Sequence, residues 1–121
     1  MNKLYIPGDL VYIHGSLRII NNCDGYYATY YDEDETLQEI NVNVIEDIPL
    51  TPEILKKNGW MLFRMYHWFI EKECLKLRLL ELDNHSWYAY IGNNLIRRYM
   101  HSVSDLQHIL FGLGINQEME V

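Results

Sequence analysis

The chain has 121 residues, of which 49% are hydrophobic, and its formal net charge is −7. This length allows one domain, or two very small modules that share a core, and the composition excludes a mostly disordered chain. No apolar run approaches the roughly 20 residues that a membrane-spanning helix needs. The residues from Met1 to Asp9 also lack the long apolar stretch of a secretory signal. We therefore expect a cytoplasmic protein without membrane contact.

The acidic charge is concentrated in the first half of the chain. Residues 1–50 contain two basic and nine acidic residues, whereas residues 51–121 contain eight of each. Nucleic-acid affinity rests mainly on Lys and Arg side chains that neutralise phosphates. This balance therefore disfavours nucleic acid as a partner.

Short strands separated by turns are predicted in residues 1–48, which we expect to form the first structural unit. The predicted strands cover residues 10–13, 17–20, 26–31 and 37–44. Asp24 and Gly25 belong to a cluster of turn-forming residues. Strands this short favour a small barrel or a strongly bent sheet. The opening Gly8-Asp9-Leu10-Val11, followed by a turn and Arg18-Ile19-Ile20, resembles the start of an SH3-like barrel.

A short linking helix is predicted within residues 49–60. Thr51 can cap a helix whose first position is Pro52, because the missing N–H of proline costs nothing there. Asn58-Gly59 supplies a left-handed end.

Residues 61–121 are predicted to form an antiparallel meander covered by a C-terminal helix. The expected strands cover residues 61–71, 74–82, 87–91 and 95–100. The helix is expected to begin at Ser102 or Ser104 and to end at Gly114, and Ser104 and Gln107 can form its capping box. Ile115 can then fold back onto the last turn, and the tail to Val121 can add an edge strand. The predicted fold class is thus α+β, mostly β.

Two segments resemble a family of small uncharacterised proteins encoded by prophages and mobile elements of Bacteroides-type gut bacteria. The central segment, Ile48 to Trp60, reads IPLTPEILKKNGW, and the C-terminal helix begins with Val103-Ser104-Asp105-Leu106-Gln107-His108. The resemblance covers about residues 8–118. Ser104 departs from the family, which tends to carry His there. The resemblance implies a phage-associated bacterial origin and the architecture above, and it brings no activity or cofactor.

One predicted strand carries four tyrosines that could contact a partner: Tyr26, Tyr27, Tyr30 and Tyr31. They alternate over both faces of the strand. Exposed rings can stack on bases or anchor a protein partner. The alternative is a structural role, since tyrosine suits a pleated sheet.

Four basic residues on neighbouring predicted strands could form a modest basic patch: Lys76, Arg78, Arg97 and Arg98. Four charges are few for non-specific DNA binding. The alternative is that they solvate the open face of the meander.

His101, Asp105 and His108 are the nearest approach to a metal site in the sequence. Residues four and three apart share one face of a continuous helix, so these side chains could converge. Against this, His101 is expected to precede the helix, and a solvated helix face explains the same pattern. Cys23 and Cys74 stand apart from other metal ligands, and we expect both to be small buried side chains. We predict no cofactor.

No catalytic arrangement is recognisable, because the chain lacks a phosphate-binding loop and a nucleophile elbow. The leading hypothesis is a non-catalytic accessory protein of a phage or mobile element that acts by protein–protein contact with an unidentified partner. The alternatives are a nucleic-acid-associated protein that uses the SH3-like half, and a metal-dependent activity on the C-terminal helix.

Overall fold

A computed structural model describes residues 4–83 and 85–121, and this part of the chain forms two antiparallel five-stranded sheets and two α-helices. The elements in chain order are β1 (Leu10–Ile13), β2 (Ser16–Cys23), β3 (Tyr27–Tyr31), β4 (Leu37–Asn41), β5 (Ile45–Asp47), α1 (Pro52–Lys57), β6 (Met61–Arg64), β7 (His67–Lys72), β8 (Leu75–Glu81), β9 (Trp87–Ile91), β10 (Asn94–Met100) and α2 (Val103–Gly112). The predicted fold class, α+β and mostly β, is confirmed.

The N-terminal sheet has the strand order β4-β3-β2-β1-β5. It is open in the described residues, because β4 and β5 each pair with one strand. The expected SH3-like barrel is therefore not confirmed. The predicted strand over residues 37–44 ends at Asn41, whose side chain accepts a hydrogen bond of 2.9 Å from the Asn43 N–H and starts a 3-10 turn, Val42–Val44. β5 follows this turn and was not predicted.

The linking helix α1 begins and ends as its sequence indicates. The Thr51 hydroxyl accepts a hydrogen bond from the Ile54 N–H, and Pro52 occupies the first turn. Gly59 has a φ of +86°, which a residue with a side chain rarely adopts.

The C-terminal sheet is a meander with the order β10-β9-β8-β7-β6. The single strand predicted over residues 61–71 is wrong, because β6 and β7 form a hairpin. Its turn is made by Met65 and Tyr66, and Tyr66 has a φ of 65°. A bulky residue in this conformation gives no turn signal in a sequence.

The N-cap of helix α2 lies two residues before that of the predicted capping box. Ser102 is the N-cap and pairs with Asp105, so the box predicted from Ser104 and Gln107 is wrong. Ile115 folds back as expected, since its N–H donates to the Leu110 carbonyl. The tail beyond it adds no strand in the described residues.

Buried apolar side chains form two clusters, and β1 lies between them. Leu10 belongs to the larger cluster, whereas Val11 and Ile13 belong to the smaller one. The larger cluster joins α1, α2 and the inner face of the C-terminal sheet: Leu10, Ile48, Leu50, Leu55, Trp60, Trp68, Leu77, Leu79, Trp87, Ala89, Met100, Val103, Leu106, Leu110 and Ile115. The smaller cluster fills the N-terminal sheet: Tyr5, Val11, Ile13, Ile20, Ala28, Val42 and Ile45.

Two further expectations concern burial and helix length. Cys23 is half-buried and Cys74 is exposed, so the prediction that both are buried is wrong. In the described ranges, neither helix is long and apolar enough to cross a membrane.

Candidate interaction surface

The C-terminal sheet covers the larger cluster with one face, and among residues 4–83 and 85–121 its other face is left uncovered. Trp68, Leu79 and Ala89 are paired neighbours on the covered face. Side chains alternate between faces along a strand, so the intervening residues point the other way. We call this uncovered side the outer face, and it comprises Met61, Phe63, Arg64, His67, Phe69, Glu71, Lys76, Arg78, Leu80, Tyr88, Tyr90, Leu95 and Arg98.

Strand register places one row of the outer face across all five strands. The row consists of Met61, Phe69, Arg78, Tyr90 and Leu95. Residues that face each other on neighbouring strands have side chains close enough to touch. In this row Arg78 therefore lies between the rings of Phe69 and Tyr90, and the two end positions are apolar.

Aromatic side chains pack on each other at both ends of the outer face. The Phe63 ring meets Phe69 edge-on, with centroids 5.6 Å apart, and lies 5.5 Å from the His67 ring. At the other end, Tyr88 meets Tyr99 edge-on at 5.3 Å. These rings stay accessible, since Phe63 is 47% exposed and Tyr99 is 57% exposed.

The three arginines of the outer face lie over aromatic rings, whereas Lys76 stands opposite Glu71 in the strand register. The Arg78 Cζ is 4.4 Å from the Tyr90 ring, and the Arg98 Cζ is 5.8 Å from the Tyr88 ring. The Arg64 Cζ is 5.4 Å from the ring of the preceding phenylalanine. Within the described residues, none of the outer-face cations forms an ion pair.

The environment of His67 combines burial with nearby positive charge. Its pKa is lowered by burial and by the nearby Arg64 and Arg78 guanidinium groups. The His67 Nδ1 and the Arg78 Nε are both buried without a hydrogen-bond partner in the described part of the chain. Such groups are costly to leave unpaired.

Part of the outer face forms an open groove of about 580 Å³. It is lined by Phe63, Arg64, Phe69, Glu71, Lys76, Arg78, Gly92 and Asn93. Glu71 is the one acidic side chain among these residues, so the groove is electropositive and apolar at once.

The predicted basic patch is only partly assembled. Lys76, Arg78 and Arg98 share the outer face. Arg97 points to the other side, where its guanidinium lies 3.8 Å from the Asp105 carboxylate of α2. Arg64 belongs to the surface and was not predicted, because its strand was not recognised as separate.

The four tyrosines of the predicted strand do not form one surface. Tyr27 and Tyr31 are about half-exposed, whereas Tyr30 packs against the smaller cluster. Tyr26 lies in the turn before β3. The backbone N–H groups of Tyr26 and Tyr27 each donate to the Asp24 carboxylate at 2.8 Å, which lowers the pKa of Asp24.

The three residues of the weak metal hypothesis do not converge. His101 precedes α2, and the Asp105 carboxylate accepts hydrogen bonds from the N–H groups of His101 and Ser102. The His108 Nε2 lies 2.6 Å from the Asp9 Oδ2. Among residues 4–83 and 85–121, no three His, Cys, Asp or Glu side chains are placed to share a metal ion.

The contact between Asp9 and His108 joins the two ends of the chain. Asp9 is fully buried, and its Oδ2 also accepts a hydrogen bond of 2.9 Å from the Ile6 N–H. The hydrogen bond to Asp9 raises the pKa of His108. No local sequence signal reveals this contact, because the two residues are 99 positions apart.

Gln107 fixes the same junction from the neighbouring position of α2. Its side-chain oxygen accepts from the Leu10 N–H at 2.8 Å, and its amide donates to the Gly8 and Gln117 carbonyls at 3.0 Å each. The side chain is fully buried. This set of bonds satisfies the start of β1 and is structural in character.

No family model matches the chain, and no curated protein and no solved structure matches it.

Proposed function

We propose that the protein is a non-catalytic binding module that recognises an acidic protein partner through the outer face. It acts as an accessory protein of a phage or mobile element in the bacterial cytoplasm. The phage-associated origin rests on the resemblance of the central segment and the α2 segment to a prophage family.

The observation that carries this proposal is an unpaired cationic and aromatic surface on an acidic chain. The chain has a net charge of −7, so carboxylates are plentiful. Yet Arg64, Lys76, Arg78 and Arg98 form no ion pair with a described carboxylate, and exposed rings lie among them. Aromatic and Arg side chains dominate binding energy at protein interfaces. Acidic groups of a partner would supply the missing charge complement.

The N-terminal unit has a separate role in the proposal. We infer that it is related to the SH3-like barrels, which its five short antiparallel strands and the register shift within β2 support. Its acidic surface would repel a negatively charged partner and so direct that partner to the outer face.

Affinity capture with matched variants tests the proposal. Phe69→Ala combined with Arg78→Ala alters the outer face, and Tyr27→Ala combined with Tyr31→Ala alters the N-terminal sheet as the control. We expect specific acidic proteins from a lysate of a Bacteroides-type host to be lost with the first variant and kept with the second. The loss of an interface anchor costs about 2 kcal/mol or more, roughly a thirtyfold loss of affinity.

Two results would contradict this function. One is capture that depends on Tyr27 and Tyr31 but not on the outer face. The other is capture that is indifferent to both variants. Circular dichroism and melting of each variant ensure that a loss of capture is not a loss of fold.

Single-stranded nucleic acid is the second candidate, and the alternation of rings and cations on the outer face favours it. Proteins that bind single strands combine a positive groove with stacking rings. The site would then be the C-terminal sheet and not the SH3-like half. The same variants distinguish the two functions with a labelled oligo-dT at about 0.15 M salt, where the screening length is about 8 Å. Binding by the wild type that is lost with Phe69→Ala and Arg78→Ala favours nucleic acid, whereas no binding favours the protein partner.

A further inference from the structure

The two sheets have four edge strands, and β6 differs from the other three. An edge strand exposes unpaired backbone N–H and C=O groups to any chain that can pair with them, and proteins usually protect such edges. Every residue of β6 is exposed. Met61, Leu62 and Phe63 are exposed to 61%, 53% and 47%, and Arg64 is the one charged residue of the strand.

The other edges are protected by charge, shortness or irregular pairing. β4 carries Glu39 and Asn41. β5 has three residues, of which Glu46 and Asp47 are acidic. β10 contains two register shifts along β9 and two adjacent arginines. These are recognised devices against edge-to-edge pairing. β6 has one register shift along β7, between Leu62 and Arg64, but its first three residues are all apolar and exposed.

We propose that β6 pairs with β6 of a second copy of this chain, in antiparallel orientation about a two-fold axis. Such an axis sets one residue opposite itself. With Leu62 at the centre, the two leucines face each other and Met61 of each copy faces Phe63 of the other. Every pair within the two strands is then apolar, which stabilises an antiparallel ladder.

The register is selected by the position of Arg64. Centring the axis on Arg64 would oppose two guanidinium groups, and centring it on Phe63 would set Arg64 against Leu62. In the Leu62 register, Arg64 lies beyond the β6 strand of the second copy. The self-complementary sequence of β6 therefore favours a second copy over an unrelated strand.

The resulting assembly is a closed dimer with one continuous sheet of ten strands. Because the axis is perpendicular to the sheet, the outer faces of both copies lie on the same side. A two-fold contact uses the same patch on both copies, so assembly ends at the dimer. The contact between two four-residue strands is small, so we expect a weak dimer with a dissociation constant of roughly tens to hundreds of micromolar.

Sedimentation velocity of the full chain, from about 10 µM to about 1 mM, tests the proposal across the dissociation constants that such a small contact allows. The wild type should pass from monomer to dimer over this range. Leu62→Glu and Leu62→Lys should each stay monomeric, since like charges then face each other across the axis. An equimolar mixture of these two variants should regain the dimer, because Glu faces Lys in the mixed pair. Leu37→Glu, at a similarly exposed leucine on the β4 edge, should dimerise like the wild type.

Several outcomes would overturn the proposal. These are a wild type that stays monomeric throughout, a dimer that survives Leu62→Glu, a mixture that fails to associate, and loss of the dimer in Leu37→Glu. If melting shows that the Leu62 variants do not fold, Met61→Glu mixed with Phe63→Lys provides the same opposed charges in the same register. Failure of that mixture would equally exclude the contact, whatever the outcome of the capture experiment.

Discussion

At the scale of single residues, the Asp9–His108 pair combines a fully buried carboxylate with a half-buried imidazole. The hydrogen bond from His108 to Asp9 is the main cause of the raised pKa of His108, and the attraction to Asp9 and Asp105 adds to it against the opposing effects of burial and Arg97. A group whose folded-state pKa is raised binds protons more tightly when folded, so protonation stabilises the fold.

We predict that this contribution is fully present below pH 6.5, the ordinary pKa of His108, and is lost as pH rises through the higher folded-state value. His67 has the opposite effect on stability. Because its pKa is lowered from 6.5 in the folded state, its protonation at lower pH destabilises the fold. The free energy of unfolding of the wild type, measured by urea denaturation, should therefore fall above pH 6.5 relative to that of His108→Gln. Parallel pH profiles for the two proteins would refute the role of the pair.

At the scale of elements, the start of α2 distinguishes two possible capping boxes. The Ser102 hydroxyl accepts a hydrogen bond of 3.1 Å from the Asp105 N–H, and Asp105 returns bonds to the backbone. The hydroxyl groups of Ser102 and Ser104 are also 3.0 Å apart. Substitution of either serine by alanine removes this bond between the two hydroxyl groups, but only Ser102 also caps the helix.

We predict that Ser102→Ala lowers the free energy of unfolding by about 1 kcal/mol, the usual cost of a lost N-cap. Ser104→Ala is the matched control and should cost clearly less, because it removes the mutual hydroxyl bond only. Urea denaturation of the two variants under the same conditions gives the comparison. Equal losses would mean that the cap contributes little.

At the scale of the whole molecule, the two sheets are linked by β1 and α2. Leu10 contributes to the larger cluster and its neighbour Val11 to the smaller one, so β1 is shared by both. Gln107 of α2 holds the backbone at the start of the same strand. We therefore expect the two sheets to unfold in one transition.

Gln107→Leu tests this link, because it leaves the Leu10 N–H and the carbonyls of Gly8 and Gln117 without their partner. We predict a loss of roughly 2–4 kcal/mol, since an unsatisfied buried group such as the Leu10 N–H costs about 1–3 kcal/mol and the two partly buried carbonyls cost less. Trp60, Trp68 and Trp87 lie in the larger cluster, so tryptophan fluorescence follows it, while far-ultraviolet circular dichroism follows both sheets. Two separate wild-type transitions would contradict a shared β1.

Local chemistry was enough to predict several parts of this protein. The ends of α1 are set by local residues: Thr51 and Pro52 at its start and Gly59 after its end. Ile115 folds back at the end of α2 through a contact that is also local in sequence. The alternation of β8 and the mostly β class also follow from short-range patterns, because alternation along a strand decides which side chains are buried.

Tertiary structure alone decided the rest. The β6–β7 hairpin turns at Tyr66, which has a left-handed backbone conformation. Tyrosine is not a typical turn residue, so the sequence does not predict this turn. Arg97 and Arg98 are adjacent in sequence, but pairing with β9 sends one towards α2 and the other to the outer face. Asp9 meets His108 across 99 positions. Such contacts depend on strand register and on how distant segments pack, and neither is encoded in the spacing of neighbouring residues.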